Sequence, residues 1–345
     1  MADRHQDRAP GHLVYVDDSL PGITRRRMAK GWAYFDPHGQ RVRDRAEIDR
    51  LNAVGLPPAY VDAWFCPAAN GHILATGIDA RGRKQYRYNP AFRAAREAEK
   101  FDSTAAFGRL LPLVRARVAA DLAGGTLSRE RAIASVVRLL DSGSIRVGNE
   151  AYARANKSFG ATTLKMRHAE LKGSVVRLRF RAKGGVMREM RLNDRGLARF
   201  VRKMQDLPGQ DLFQYLDDDG QPCPIGSQDV NGYLCETMGE HFTAKTFRTW
   251  HASVLAFEAL AEARELLGMK ALMERVSERL GNTPAIARKS YVHPAVSGLI
   301  DAQEEWRKSL RLPRATRWLS RAERGLIAML EDAGAPAQVA TLHAA

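Results

Sequence analysis

The sequence predicts an α+β chain with a small antiparallel β-rich domain at 12–90, a larger and mainly α-helical domain at 91–332 that carries a β-hairpin, and a disordered tail at 333–345. Three observations lead there. Residues 11 to 90 are rich in Gly, Pro and aromatic residues and hold short alternating segments, which suits hairpins. After Asn89-Pro90 the apolar spacing turns helical. Alternation then returns once, where Val176, Leu178 and Phe180 interleave with Arg177, Arg179 and Arg181. At 345 residues, two domains are also the default expectation.

In chain order, the expected strands fall in HLVYV, GWAYF, VDAWFCP, GHILATGIDA and KQYRYNP. The segment Gly77 to Pro90 sets Arg81, Arg83, Lys84 and Arg87 among Tyr86 and Tyr88. On a strand, Tyr86 and Tyr88 share one face and Gln85 shares the other with Arg87. Such a strand can lie against duplex DNA, its cations on phosphates and its glutamine at base edges. The same pattern also suits an exposed edge strand protected by charge. Phe92 to Lys100 reads as a helical connector. Residues 104 to 123 form a helix containing Pro112 and stopped by Gly124-Gly125. Ser128 caps the next helix, with Ile133, Val136, Val137 and Leu140 on its buried stripe and Gly143 at its end. Arg146 then projects from the junction between two helical segments.

From Lys172 to Lys203 there are eleven Lys or Arg and two acidic residues. The alternating run is one strand of a hairpin with a cationic face, VMREMRL is the other, and Lys183 stands in the turn between them. Asn193 or Asp194 caps a following helix. The run LDDDGQP reads as a turn, because calcium loops space their acidic ligands at alternating positions. Thr243 caps a long helix with Phe247, Trp250, Val254, Phe257 and Leu260 inward; Arg248 lies near its positive start, where an anion is welcome, and His251 reads as structural. Ser320 and Glu323 form a capping box for a last amphipathic helix.

Between them lies RLGNTPAIARKSYVHP. Thr283 is an N-cap with Pro284 at the first helical position. Tyr291, seven residues after that proline, is expected on the same helix beside Arg288 and Lys289. A free phenol titrates near pH 10 and is a weak nucleophile unless cations favour its phenolate. Taken alone, a tyrosine more often packs against the protein with its hydroxyl at the surface.

A net charge of +15 implies a polyanionic partner, most often nucleic acid. No apolar run reaches about 18 residues and no basic amphipathic anchor is evident, so a membrane is not expected. The charged start MADRHQDRAP lacks an apolar signal core, and a cytoplasmic, nucleoid-associated protein is expected. Cys66, Cys223 and Cys235 form no CxxC pair, so neither zinc nor disulfides are invoked. P-loop, GxGxxG and HExxH patterns are absent, which argues against ATP and against a metal; no cofactor is expected.

From about residue 12 to 322 the chain resembles the type IB DNA topoisomerases of the compact bacterial and poxvirus kind. The blocks that carry the likeness are GHILATGIDARGRKQYRYNP, SIRVGN around Arg146, RAKGG around Lys183, AKTFRTW around Lys245 and Arg248, and LGNTPAIARKSYVHP around Asn282 and Tyr291. The resemblance implies the fold shared by type IB topoisomerases and tyrosine recombinases, and relaxation of supercoiled DNA without ATP or an obligatory metal. Tyr291 would attack a backbone phosphate to give a 3′-phosphotyrosyl enzyme. Arg146 and Arg248 would clamp the non-bridging oxygens, Lys183 would protonate the departing 5′-oxygen, Asn282 would donate to a phosphate oxygen, and Lys245 would support Arg248. By the same resemblance Arg83, Gln85, Tyr86, Tyr88 and Tyr152 are DNA contacts, and the chain acts on double-stranded DNA as a monomeric clamp. Many relatives carry histidine where this chain has Asn282, and the poxvirus form carries lysine where it has Asn149.

Two other readings compete. Tyrosine recombinases share the catalytic logic but typically carry His-x-x-Arg where this chain has Lys245-Thr-Phe-Arg248, and they lack such a β-rich front. A non-catalytic architectural DNA binder would satisfy the charge alone.

Overall fold

The computed structural model describes residues 13–29, 31–207 and 209–334. The charged first residues and positions 335–345 of the expected tail lie outside the described residues. The chain divides into two compact units between Glu99 and Lys100.

The first unit is a five-stranded antiparallel sheet in the order β2-β1-β3-β4-β5. Its strands are β1 (Ile23–Met28), β2 (Gly31–Phe35), β3 (Val61–Phe65), β4 (Ile73–Ile78) and β5 (Lys84–Tyr88). Ile23, Tyr34, Phe65 and Ala75 form its core with Leu51 and Leu56. Two expectations change here. In the described part of HLVYV, residues 13–16, the pairing is an isolated bridge, Val14 to Gly71, while the arginine-rich ITRRRM is the strand. The β-rich region also holds a helix, α1 (Arg45–Ala53), which charge conceals and capping explains: the Asp44 carboxylate accepts from the Ala46 and Glu47 N–H groups, and Leu51 is buried. The division between units falls within α2 (Pro90–Asp102), the expected connector.

The second unit is mainly helical. It begins with α3 (Thr104–Ala123), which contains Pro112, and α4 (Arg129–Gly143), capped by the Ser128 hydroxyl accepting from the Arg131 N–H. Next come α5 (Glu150–Asn156) and a three-stranded antiparallel sheet of β6 (Ala169–Lys172), β7 (Val175–Arg181) and β8 (Met187–Asn193). The expected hairpin is therefore β7–β8, with β6 added at its edge. Val176, Leu178 and Phe180 are buried beneath it, and the turn at Lys183 is closed by Gly184 and Gly185, both at positive φ. After α6 (Arg195–Gln205), capped by Asp194, the short pair β9 (Gln214–Leu216) and β10 (Pro222–Pro224) encloses the acidic turn, whose Asp217 carboxylate accepts from the Asp219 and Gln221 N–H groups.

The remaining helices are α7 (Ser227–Met238), α8 (Ala244–Glu262), α9 (Met269–Leu280), α10 (Pro284–Ser290), α11 (Pro294–Gly298), α12 (Gln303–Ser309) and α13 (Arg321–Gly334). Helix α8 is the centre of the unit: Phe247, Trp250, Ala256, Phe257 and Leu260 are fully buried among α3, α4 and α13. The capping box holds α13 as expected, Ser320 N–H to Glu323 Oε2 at 2.7 Å and Glu323 N–H to Ser320 Oγ at 3.1 Å. That helix runs to Gly334, two residues into the expected tail. No described helix is long and apolar enough to cross a membrane.

Candidate active site

Four segments deliver side chains to one cleft of about 410 Å³ in the second unit. Helix α4 ends at Ser144, which is left-handed (φ 51°), and the chain then runs extended through buried Ile145 to Arg146. The Arg146 loop is held by Gly160–Thr162: Ala161 N–H donates to the Arg146 carbonyl at 2.8 Å and Thr162 N–H to the Val147 carbonyl at 2.6 Å. A Cβ on Gly160 would lie 2.6 Å from both the Arg146 oxygen and the Gly148 nitrogen, so this approach requires glycine. The Asn149 side chain, at the position that departs from the poxvirus form, accepts from the Tyr152 N–H at 2.9 Å and caps α5. Tyr152 lines the cleft, together with Val147 and Phe159. Lys183 reaches it from the turn between β7 and β8, and Lys245 and Arg248 from the first turns of α8.

Tyr291 completes the lining. It stands at the C-terminal cap of α10 rather than inside the helix. Thr283 and Pro284 begin that helix as expected, with Thr283 Oγ1 accepting from the Ile286 N–H at 3.3 Å. The backbone beyond is pinned to α8 by Ser253, whose hydroxyl donates to the Tyr291 carbonyl at 3.4 Å and accepts from the His293 N–H at 3.0 Å.

The cations acting on the phenol are not those expected. Arg288 and Lys289 are exposed, whereas the Arg248 guanidinium carbon lies 4.7 Å from the Tyr291 ring centroid. Burial pushes the phenol pKa up, but Arg248, followed by Arg146 and Lys245, outweighs it and holds the group below the usual range. Arg248 is itself 3 % exposed, donating from Nη1 to the Ser144 carbonyl at 2.6 Å and the Leu280 carbonyl at 3.1 Å. Its Nε and Nη2 have no hydrogen-bond partner. Burial, reinforced by Arg146 and Arg188 and opposed by Tyr291, pulls its pKa down.

The cleft is lined by four cationic side chains, Arg146, Lys183, Lys245 and Arg248, and by no carboxylate. Among the described residues, Arg146, Lys183 and Lys245 make no side-chain hydrogen bond or ion pair with another side chain. Charge left uncompensated around a partly buried phenol is a receptor for an anion. Asn282 lies just outside the lining, beyond Gly281, and its carboxamide oxygen and nitrogen are both buried without a partner. No group of His, Cys, Asp and Glu among the described residues could hold a metal ion.

A family model described as the eukaryotic DNA topoisomerase I catalytic core matches residues 89–310, and one for the bacterial DNA topoisomerase IB N-terminal domain matches 31–79. A DNA topoisomerase 1B of Acanthamoeba polyphaga mimivirus is 30% identical over 287 residues, 79% of this chain and 85% of its own length. The chain belongs to the type IB DNA topoisomerase family. Vaccinia virus DNA topoisomerase 1B is 20% identical over 70% of this chain and 76% of its own. Mycosarcoma maydis DNA topoisomerase 1 is 28% identical over 52% of this chain, which spans only 20% of that longer relative. The solved XerH site-specific recombinase, in a post-cleavage complex with palindromic difH substrate, overlays with a TM-score of 0.38 and 14% identity over 57% of this chain and 51% of its own, too loosely to carry an argument.

In the first unit of this topoisomerase, Tyr86 and Tyr88 stack on β5 with ring centroids 5.8 Å apart and are 42% and 40% exposed. Arg83 and Gln85 both engage Asp79, through a 2.7 Å ion pair and a 3.0 Å bond from Gln85 Nε2. Sequence reasoning missed Gly160, Ser253 and Arg188 at the site. No local pattern marks them, since each acts on a segment remote in the chain.

Proposed function

We infer that this type IB topoisomerase relaxes supercoiled DNA by transient single-strand cleavage, with Tyr291 as nucleophile and neither ATP nor an obligatory metal. The observation that carries the reading is the convergence of one phenol and four cations on a cleft without a carboxylate. A bound phosphodiester would supply the missing negative charge. Tyr291, its phenolic proton given up to water and its phenolate favoured by the surrounding cations, attacks phosphorus through Oη, the P–O5′ bond breaks, and the 5′-oxygen takes a proton from Lys183 Nζ, leaving a 3′-phosphotyrosyl ester. Arg146 and the free edge of Arg248 offset charge on the non-bridging oxygens as the transition state forms. Asn282 donates its carboxamide N–H to the same phosphate. It cannot titrate, so it takes no part in protonating the departing 5′-oxygen, which falls to Lys183. Reversal by the 5′-hydroxyl reseals the strand, the ester conserving the bond energy.

DNA contacts come from Tyr86 and Tyr88 on β5, from Tyr152 beside the cleft, and from Arg83 and Gln85. The chain acts as a monomeric clamp on the duplex, in the cytoplasm. The test is incubation with supercoiled plasmid in EDTA without ATP, followed by denaturant trapping of covalent DNA. Wild type should relax the plasmid and trap; Tyr291→Phe should bind duplex nearly as well yet do neither. Relaxation by that variant would remove Tyr291 from the nucleophile role, and recombinant products would favour the recombinase reading.

A further inference from the structure

Arg188 belongs to none of the residues that the sequence blocks assign to the site. It lies on β8 across from Phe180 of β7, so it shares a short hairpin with Lys183 at the turn. Its guanidinium donates from Nη1 to the Glu278 carbonyl at 3.2 Å and from Nη2 to the Arg279 carbonyl at 2.7 Å. These carbonyls lie in the last turn of α9, where no intrahelical donor remains and partial negative charge collects. No carboxylate pairs with Arg188 among the described residues. Burial, then Arg279 and Arg146, hold its pKa below the usual range, so the carbonyls of α9 are its main compensation.

The turn after α9 is shaped around this side chain. Gly281 is left-handed (φ +64°), and a Cβ there would lie 2.6 Å from Arg188 Nη1. The next residue is Asn282, with its unpartnered carboxamide. A small hollow lined by Arg146, Lys183, Arg188, Arg248 and Gly281 adjoins the cleft, so the same guanidinium borders the site. One side chain therefore ties the hairpin that ends in Lys183 to the turn that presents Asn282.

We propose that Arg188 is a positioning residue that locks the Lys183 hairpin onto the Gly281–Asn282 turn and so sets where the lysine meets the departing 5′-oxygen. This rests on the reading of Lys183 as the acid. An acid displaced by about an ångström loses rate on the order of 100-fold.

The experiment compares single-turnover cleavage by the full chain of two duplexes, one with an ordinary phosphodiester at a mapped cleavage site and one with a 5′-bridging phosphorothiolate there. The sulfur leaving group departs without a proton, so it bypasses the acid. Arg188→Ala should cleave the ordinary duplex roughly 100-fold more slowly than wild type and the sulfur duplex at close to the wild-type rate. The Arg188→Ala/Lys183→Ala double variant should be no slower on the ordinary duplex than Lys183→Ala alone. Arg188→Lys, which keeps the charge but not the fork, should lose less and recover likewise; it carries the test if the alanine variant does not fold. Should Lys183→Ala be rescued by sulfur while the Arg188 variants stay slow, Arg188 acts on the fold or the phosphate and the proposal fails. Should Lys183→Ala itself not be rescued, the acid assignment fails first and takes this inference with it.

Discussion

Arg248, buried, and Arg115, half-buried, are arginines of the same helical unit, and they meet opposite fates. Arg115, on α3, is gripped by two carboxylates: Asp141 at 2.8 and 2.9 Å and Glu323 at 2.7 and 3.0 Å. It also donates to the Trp318 carbonyl. Burial opposes its charge, but Asp141 and Glu323 outweigh that and raise its pKa above the usual range. Arg248 has two carbonyls, a phenol and a guanidinium edge with no partner, and its pKa is lowered. The first arrangement is electrically complete and joins α3, α4 and α13. The second leaves part of a guanidinium without a partner, which an anion would complete. Burial of an arginine therefore says little about its role; the question is what neutralises it.

Substitutions should separate the two. Arg248→Ala should slow DNA cleavage roughly 1000-fold, as loss of a transition-state donor does, while lowering unfolding free energy by only about 1–2 kcal/mol for the carbonyls it leaves unpaired. Single-turnover trapping and urea unfolding read the two effects. Arg115→Ala should invert the pattern: stability falls by about 3–5 kcal/mol because Asp141 and Glu323 are left buried without a counter-charge, and the protein that remains folded cleaves at close to the wild-type rate. Equal losses of rate and stability in both variants would erase the distinction.

Acid should attack the complete network. Asp141 and Glu323 are held below their ordinary 3.8 and 4.5, burial raising them and Arg115 overcoming it; burial holds His251 below 6.5 despite Asp141 at 3.6 Å. For each group the unfolded chain binds more protons across the window between its two pKa values, so stability rises with pH there. The contribution is full above the ordinary value and is lost as pH falls through the folded one. Urea unfolding should therefore show stability declining from below pH 6.5 and steepening below 4.5. Arg115→Ala should lose the steep lower part. The smallest effect concerns the open site: in ultraviolet titration, the phenolate signal lost in Tyr291→Phe should appear below the ordinary 10.0 and move back up in Arg248→Ala.

What the sequence revealed follows the range of each interaction. Ser128, Asp194, Thr283-Pro284 and the Ser320–Glu323 box act within three or four residues, and each is where local reasoning puts it. The β7–β8 pair declares itself because Val176, Leu178 and Phe180 must all face inward. Helix α1 escaped because four of its nine residues are charged, and its apolar stripe is reduced to Ile48 and Leu51. Arg146, Lys183, Lys245, Arg248 and Tyr291, which the family resemblance named, line one cleft, but the charge environment of the phenol was not legible. Arg288 and Lys289 are neighbours of Tyr291 in sequence; Arg248, Arg146 and Lys245 are its neighbours in space. Arg188 and Ser253 act only through that folding and leave no trace in spacing.

The contact beneath Arg146 has its own consequence. Because the loop through Gly160 presses against the backbone of Arg146 and Gly148 with no room for even a methyl group, position 160 should tolerate no replacement in any screen that selects for DNA relaxation, although glycine has no side chain to offer a nucleotide.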